Sequence, residues 1–556
     1  MRSSIEPLRI RRFRALWAAS VVSNIGSFLQ TVAAAWVMYE LTGSPLWVGL
    51  MAASSTLPLL FLALPAGAIA DLFDRRRILL VSQGLMGASA TAMTVLAILD
   101  VVTPGMLLAL GLALGVGFAV NLPAWQALVP DLVPRDLVPS AVALNSAAFN
   151  VARALGPALG GIIVATAGPG LAFGLNACSY LGVVAVLLTF RSGQWDVDDP
   201  EPVASAIATG LRFARFTPGF RRVLTIAGGF AITSSVVQSL LPNVTADQLG
   251  GGATLFGTLL GSMGVGALLG ALSRELALKR VGRHMVAASM AGFGIAGVVV
   301  GISSLPPLTA AAMVVAGVFW VWALSTLNAT AQLMAPRWVR GRAMSLYTLS
   351  FVGLLPVGSI IGGVIGARIG AAGSVLVLSL GAILVGFAGL RFGIPGLGEV
   401  VSTEPPADWD LTPHEVHLEG GPVMIFNTWI IDEADLAEFF EAMDRLRLVR
   451  LSTGAYRWRL YRNAGDPHRM TEVMLLASWD AHLRQHRRID RGAAEVISRA
   501  NEFDRSGGPV TQHLVAIEVA EAHLRPEWEA LVAVHRDLHH ADGSITLGAD
   551  DVTIAP

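Results

Sequence analysis

VPRDLVPSAVALNSAAFNVARALGPALGG, residues 133–161, aligns without gaps to APRWVRGRAMSLYTLSFVGLLPVGSIIGG, residues 335–363, at an offset of 202. Pro134 meets Pro336, Arg135 meets Arg337, Leu144 meets Leu346 and Phe149 meets Phe351, while Gly156, Gly160 and Gly161 meet Gly358, Gly362 and Gly363. A chain that repeats itself once over this distance is built from two like halves in parallel orientation.

The composition says what solvent those halves live in. Hydrophobic residues make up 54% of the 556, charged residues 14%, and the mean hydropathy is +0.61. Twelve apolar segments of roughly 20 residues, enough for a ~30 Å hydrocarbon core, fall near 14–40, 46–70, 78–99, 104–128, 139–166, 170–190, 221–242, 253–275, 284–304, 307–334, 342–367 and 372–392. Of the 24 basic residues before Gly398, 22 lie at the start of the chain or in every second gap between these segments. The clusters are Arg2 to Arg14, Arg75 to Arg77, Arg135, Arg191 to Arg222, Arg274 to Arg283 and Arg337 to Arg342. The gaps near Thr42, Thr103, Gly168, Gly250 and Pro306 have none, and the one near Gly370 has only Arg368. Positive charge stays on the cytoplasmic side, so the pattern predicts a multi-pass protein of a bacterial cytoplasmic membrane with both termini inside. The basic start resembles a signal peptide, but the run from Phe13 to Leu41 is too long for one and reads as the first span.

The spans divide into a first six-helix half (1–190), a cytoplasmic linker (191–220) with an amphipathic surface helix near 204–216, and a second half (221–398). The first 398 residues hold 24 basic and 13 acidic side chains, the rest 15 and 27. The net charge of -1 therefore hides a basic membrane part and an acidic tail, which argues against nucleic acid as a partner. SerThrGluProPro opens a linker (399–420). Strand 423–431, helix 433–449 with Asp432 as a candidate N-cap, strands 456–461 and 470–479, helix 480–502 and strand 512–519 then follow in βαββαβ order. That order predicts a ferredoxin-like α+β domain (421–522), with a tail at 523–556. A small sheet of this kind leaves one face open, which a second copy would bury, so a homodimer through this domain is an expectation. The histidines of Trp479-x-x-His482-x-x-x-His486 are expected to be exposed on one helix face, with no third ligand for a metal. Lone Cys178 can form no internal disulfide.

Gly67-Ala-Ile-Ala-Asp71-Leu-Phe-Asp74-Arg75-Arg76-Arg77 resembles the loop signature of the major facilitator superfamily, with Leu72 in place of a basic residue and Asp74 in place of a glycine. Gly156-Pro157-Ala158-Leu159-Gly160-Gly161 is similar to that superfamily's antiporter signature. Small residues there let helices approach closely, and Pro157 removes a backbone donor. The fourth span lacks the arginine of many drug-exporting members. With Ser23 to Gln30, the Tyr39 to Pro45 turn and the soluble extension, the chain resembles most the enterobactin-exporter-like, transmembrane secretion effector subgroup. The resemblance implies twelve helices in two pseudo-repeats, a gate formed by Gly67, Asp71, Asp74, Arg75, Arg76, Gly156, Pro157, Gly160 and Gly161, and transport by rocking of the halves. It implies proton-driven export of a siderophore-like or drug-like small molecule, with no catalytic residue, metal or cofactor.

Arg153 stands some 14 residues, or roughly 21 Å, along its helix, deep in the membrane, where a charge is costly unless it faces a cavity or partner. Its field suits an anionic group. With Asn24, Gln30, Asn121, Gln126, Asn150, Gln238, Asn328 and Gln332 it forms the expected substrate-binding set. No Asp or Glu shares its depth, which leaves Glu40, Asp100, Asp247 and Asp71, or Arg153 through its partner, as candidates to carry the coupling proton. No phosphate-binding P-loop is present, so ATP is not the expected energy source. The alternative is a transporter fused to an enzyme or sensor, in which a monooxygenase-like C-terminal domain acts on or senses the transported compound.

Overall fold

The computed structural model describes residues 5–189, 203–336, 338–392 and 421–516. Residues 191–202 of the linker expected at 191–220, all of the linker expected at 399–420 and the tail expected at 523–556 lie outside these residues. The side chains of Asp71 and Arg135 are also outside the description. The chain forms two compact units, one holding the long helices and the other the small sheet.

In the helical unit the first half comprises α1 (Arg11–Thr42), α2 (Pro45–Ser54), α3 (Leu57–Leu72), α4 (Arg75–Ile98), α5 (Pro104–Asp131), α6 (Val138–Ala167) and α7 (Pro169–Leu188). After α8 (Val203–Phe216), the second half comprises α9 (Pro218–Ser239), α10 (Leu241–Asn243) with a π turn Val244–Gln248, α11 (Ala253–Val281), α12 (Met285–Ile302), α13 (Pro306–Met334), α14 (Arg340–Phe351), α15 (Leu355–Ile369) and α16 (Ala371–Phe392). Among the described residues eleven stretches are long and apolar enough to cross a bilayer, one of them Ala253–Ile302 at 50 residues. That stretch is two helices, α11 and α12, joined by a 3-10 turn at Gly282–His284 that turns on Gly282 at φ 58°.

Two expected spans are each broken into two helices, and proline is the cause. Pro58 opens α3 behind the Ser55–Thr56 turn, and Pro356 opens α15 behind Val352–Leu354. A proline cannot donate to the preceding turn and is tolerated in a helix's first turn, so the helix restarts there. Pro157 lies inside α6, which runs on through it.

The repeat that opened the sequence becomes the interface between the halves. Gly161 of α6 faces Gly257 of α11 so closely that a Cβ on Gly257 would stand 2.5 Å from the Pro157 carbonyl and 2.7 Å from Gly161 Cα. Its counterpart Gly363 of α15 faces α2, where a Cβ on Gly49 would stand 2.5 Å from the Ser359 carbonyl. Lipid offers no hydrophobic drive to join helices, so close backbone approach at small residues supplies the contact instead. Unbroken helices thus pair with each other (α6 with α11), and broken ones with each other (α2 with α15).

The second unit is a four-stranded antiparallel sheet of order β2-β3-β1-β4, with β1 (Val423–Ile430), β2 (Arg457–Arg462), β3 (Arg469–Leu476) and β4 (Val510–Val515). Helix α17 (Leu436–Thr453) joins β1 to β2, and α18 (Trp479–Arg487) with α19 (Arg491–Asn501) joins β3 to β4. Alternation buries one face, carrying Ile425, Trp429, Met470 and Met474. Trp479 starts α18 rather than ending a strand, because Ser478 caps the helix by accepting from Ala481 N at 3.1 Å. The single helix expected at 480–502 is two, and Asp432 caps a 3-10 turn without a side-chain bond.

Candidate functional site

Between the two halves lies a cavity of about 400 Å³. The helix breaks open onto it: Ser55 and Thr56 line it from the first half, Leu355 and Ser359 from the second. Interrupted helices at corresponding places of two repeats supply polar groups where regular helices would have none to spare. Ser27, Gln30 and Thr31 of α1, Asn176 and Tyr180 of α7, and Ser235, Gln238 and Ser239 of α9 add further polar groups. Phe28, Phe118, Phe256, Met51 and Met86 supply the apolar wall. Among the described residues no Asp, Glu, Lys, Arg or His lines the cavity.

The polar wall of the first half is a connected network. Asn176 Nδ2 donates to Gln30 Oε1, Gln30 Nε2 reaches Met93 Sδ at 3.2 Å, and Ser179 donates to the Asn176 carbonyl at 2.7 Å. The hydroxyls of Ser27 and Tyr180 share a bond of 3.2 Å. Across the cavity Gln238 is half-buried, and no described residue bonds its amide, which leaves it for a ligand.

Of the nine substrate residues expected from sequence, Gln30 and Gln238 line this cavity, and the other seven do not. Asn121 Oδ1 accepts from Gln83 Nε2 at 3.0 Å and Ser82 Oγ at 3.3 Å inside the first half. Gln332 donates to Asn328 at 2.7 Å, Asn150 donates to the Ser146 carbonyl at 2.9 Å, Gln126 is exposed and Asn24 half-buried. Arg153 stands over the Trp320 ring, its guanidinium carbon 5.7 Å from the centroid, and so reaches from one half to the other. A cation–π contact contributes about 0.5–2 kcal/mol, against roughly 2.5–3.5 kcal/mol for an arginine at a helix centre. Arg153 is half-buried, with no carboxylate or hydrogen-bond partner among the described residues. Sequence reasoning missed Ser55, Thr56, Asn176 and Tyr180. The SerSerThrLeuPro interruption at 54–58 and the Asn176-x-x-Ser179-Tyr180 spacing were their signals.

At the end where α1 stops and α11 starts, the halves are bridged. Tyr39 OH donates to Asp247 Oδ1 at 2.6 Å, Asn243 Nδ2 donates to the Gly43 carbonyl at 3.2 Å, and Trp36 stacks on Phe256 with centroids 6.0 Å apart. Trp36 Nε1 also donates to Glu40 at 2.6 Å. Of the residues expected to gate the opposite end, Asp74, Arg75 and Arg76 make bonds to groups of the first half. Asp74 caps α4 by accepting from Arg76 N at 2.9 Å, Arg75 donates to the Ala127 carbonyl at 2.9 Å, and Arg76 donates to the Leu187 and Leu188 carbonyls at 2.8 and 3.2 Å. Arg76 thus meets orphan carbonyls at the negative end of α7, and Arg75 a carbonyl in the last turns of α5. A Cβ on Gly67 would meet open space, whereas on Gly156 it would come within 2.5 Å of Phe28 Cβ and on Gly160 within 3.2 Å of Leu29 Cα.

The transmembrane secretion effector family of major facilitators matches residues 2–521, a span that includes the small sheet. The chain belongs to this family. The multidrug efflux pump Tap of Mycolicibacterium fortuitum is 29% identical over 66% of this chain and 92% of its own length. The enterobactin exporter EntS of Salmonella typhi is 26% identical over 67% and 90%. A bacterial homolog of the human lysosomal transporter Spinster, solved inward-facing, superposes with a TM-score of 0.55 at 15% identity over 70% of this chain and 99% of its own. A D-xylose–proton symporter gives 0.55 at 14% over 68% and 97%. The protein is a multi-pass membrane transporter, as its relatives are, and not an enzyme.

In the second unit the histidines expected at the surface are not all there. His482 is only 4% exposed, packed on Trp479 and between His486 and His513, with ring centroids 4.5 and 4.8 Å away. Burial, then the neighbouring His486, His513 and Arg450, push its imidazole down to about 3. Among the described residues no group of three His, Cys, Asp or Glu is placed to hold a metal.

Proposed function

We propose that the protein is a proton-coupled exporter of small amphipathic molecules across a bacterial cytoplasmic membrane, with twelve spans and both termini inside. Ala253–Ile302 is counted as two spans, because 50 helical residues would reach about 75 Å, more than twice the hydrocarbon core. The charge pattern then puts the Tyr39–Asp247 bridge on the outer side, so the described state is closed outward, and transport rocks the halves about the α6–α11 and α2–α15 crossings. The small sheet, whose βαββαβ order is that of the ferredoxin-like fold, is an inward-facing extension that can pair with a second copy.

The observation that carries the reading is the neutral cavity between the halves. Its amides, hydroxyls and aromatic rings suit an uncharged or weakly charged drug-like compound of the sort implied by the name of the Tap relative. A second reading, export of an anionic siderophore-like compound as the EntS name implies, is favoured by Arg153, a half-buried cation with no acidic partner among the described residues. A sensing role for the extension is a third, carried by the buried Trp479 and His482 cluster.

Inverted membrane vesicles separate these readings. Uptake of neutral, cationic and anionic test compounds is measured with and without an imposed proton gradient for wild type, Gln238→Leu and Arg153→Ala. The neutral-cavity reading expects gradient-dependent uptake that Gln238→Leu lowers about tenfold and Arg153→Ala leaves within twofold. Uptake confined to anions and lost with Arg153→Ala would instead support the siderophore-like reading.

A further inference from the structure

The first half carries a second hollow, on its own flank, of about 900 Å³ along α4 where that helix faces α5 and α7. Gly84, Ala88, Thr91 and Val95 line it from α4, and Leu181 from α7. Val95 and Leu181 are exposed on helices long and apolar enough to cross a bilayer, so the hollow opens onto acyl chains rather than water.

Two polar side chains interrupt the apolar lining. Gln83 is 5% exposed; its Nε2 donates to Asn121, and its buried Oε1 has no partner. A buried acceptor left unmade carries a desolvation penalty that a ligand donor would remove. Tyr180 lines both this hollow and the central cavity, packs with Met86, and shares a hydrogen bond with Ser27.

We propose that the hollow is a lateral binding site for an uncharged, membrane-dissolved amphiphile carrying a hydroxyl or amide donor, with Tyr180 as the gate to the central cavity. A phospholipid chain would satisfy the walls but not Gln83, and no Lys or Arg among the described lining residues is there to hold a phosphate. Binding in the hollow stands apart from the export reading; only the onward step rests on it.

The test uses the full-length protein in nanodiscs and a photoactivatable diazirine octanol, with the matched diazirine octane and a diazirine phospholipid as comparison probes. Wild type labelled by the octanol within 75–98 and 169–188, and at the cavity wall near Phe256, is the expected result. A Cβ at Gly84 meets nothing within 4 Å, so Gly84→Trp plugs the hollow without disturbing the core, and it should lower labelling at both places at least fivefold. Gln83→Leu should lower octanol labelling severalfold and leave octane labelling unchanged. Cavity labelling that survives Gly84→Trp would overturn Tyr180 as the gate. Labelling by phospholipid alone, or equal octanol labelling of wild type and Gln83→Leu, would overturn the site. Transport enters none of these readouts, so a failed export assay would leave the binding result standing.

Discussion

At the scale of single residues, the bond between Tyr39 and Asp247 joins the two halves through one charge. A hydrogen bond to an ionised group contributes about 1.5–3 kcal/mol, roughly the energy needed to bias a two-state carrier. Asp247→Asn removes that charge and leaves an amide oxygen to accept a weaker bond from Tyr39. The expected outcome is a shift toward outward opening, read as increased accessibility of an outer-end cysteine probe, with gradient stimulation of uptake lost; Tyr39→Phe should do the same in part. Unchanged gradient stimulation in both variants would remove the pair from coupling. His482 makes a separate prediction. Below its ordinary 6.5 the unfolded chain takes up a proton that the folded imidazole refuses until about pH 3, so folding stability is lost as pH falls through this window. The sheet unit should lose up to about 1.4 kcal/mol per pH unit below 6.5, measured by pulse proteolysis of the intact protein in urea, and His482→Leu should flatten the slope. The sequence indicated Gln30 and Gln238 but not the burial of His482, since part of what covers that helical residue comes from His513, some 30 positions away on β4.

At the scale of elements, the glycine pairs decide how near the halves come. A Cβ at Gly257 would meet backbone, the Pro157 carbonyl and Gly161 Cα, which cannot swing aside as a side chain can. Overpacking costs about 1–3 kcal/mol, so Gly257→Val should push the outer end apart and cut transport at least tenfold, while Gly67→Ala, with open space around it, should leave transport within twofold. Cysteine crosslinking across α6 and α11 measures the first effect, and an unaltered crosslinking yield would count against the crossing as a hinge. The glycines of 133–161 and 335–363 announce close helix approach in the sequence, but their partners Gly257 and Gly49 lie outside the repeat and come from the fold alone. The broken helices were less legible. Pro58, Pro157 and Pro356 look alike in sequence, yet only the first and last open new helices, and which outcome follows depends on whether preceding carbonyls find other partners. Ser55 and Thr56 became cavity walls for that reason.

At the scale of the whole molecule, the question is whether transport needs the sheet unit. About two thirds of this chain covers 92% of Tap and 90% of EntS, so a carrier of the relatives' length has little room for such an extension. The cavity, both glycine crossings and the Tyr39–Asp247 bridge all lie before residue 393. Every group assigned to binding and gating therefore survives deletion of the residues after Pro405. The truncated carrier is expected to insert, to melt within a few degrees of the full-length membrane unit, and to keep initial transport rates within twofold in inverted vesicles. The family match nevertheless runs to residue 521, through the sheet, so the extension lies within the matched span. A role for the extension would appear as a change in how rate depends on substrate concentration. Full rate with altered dependence would make the extension a regulator. Loss of rate in a truncated chain that still folds would mean that the cavity between the halves is not the whole transport machinery.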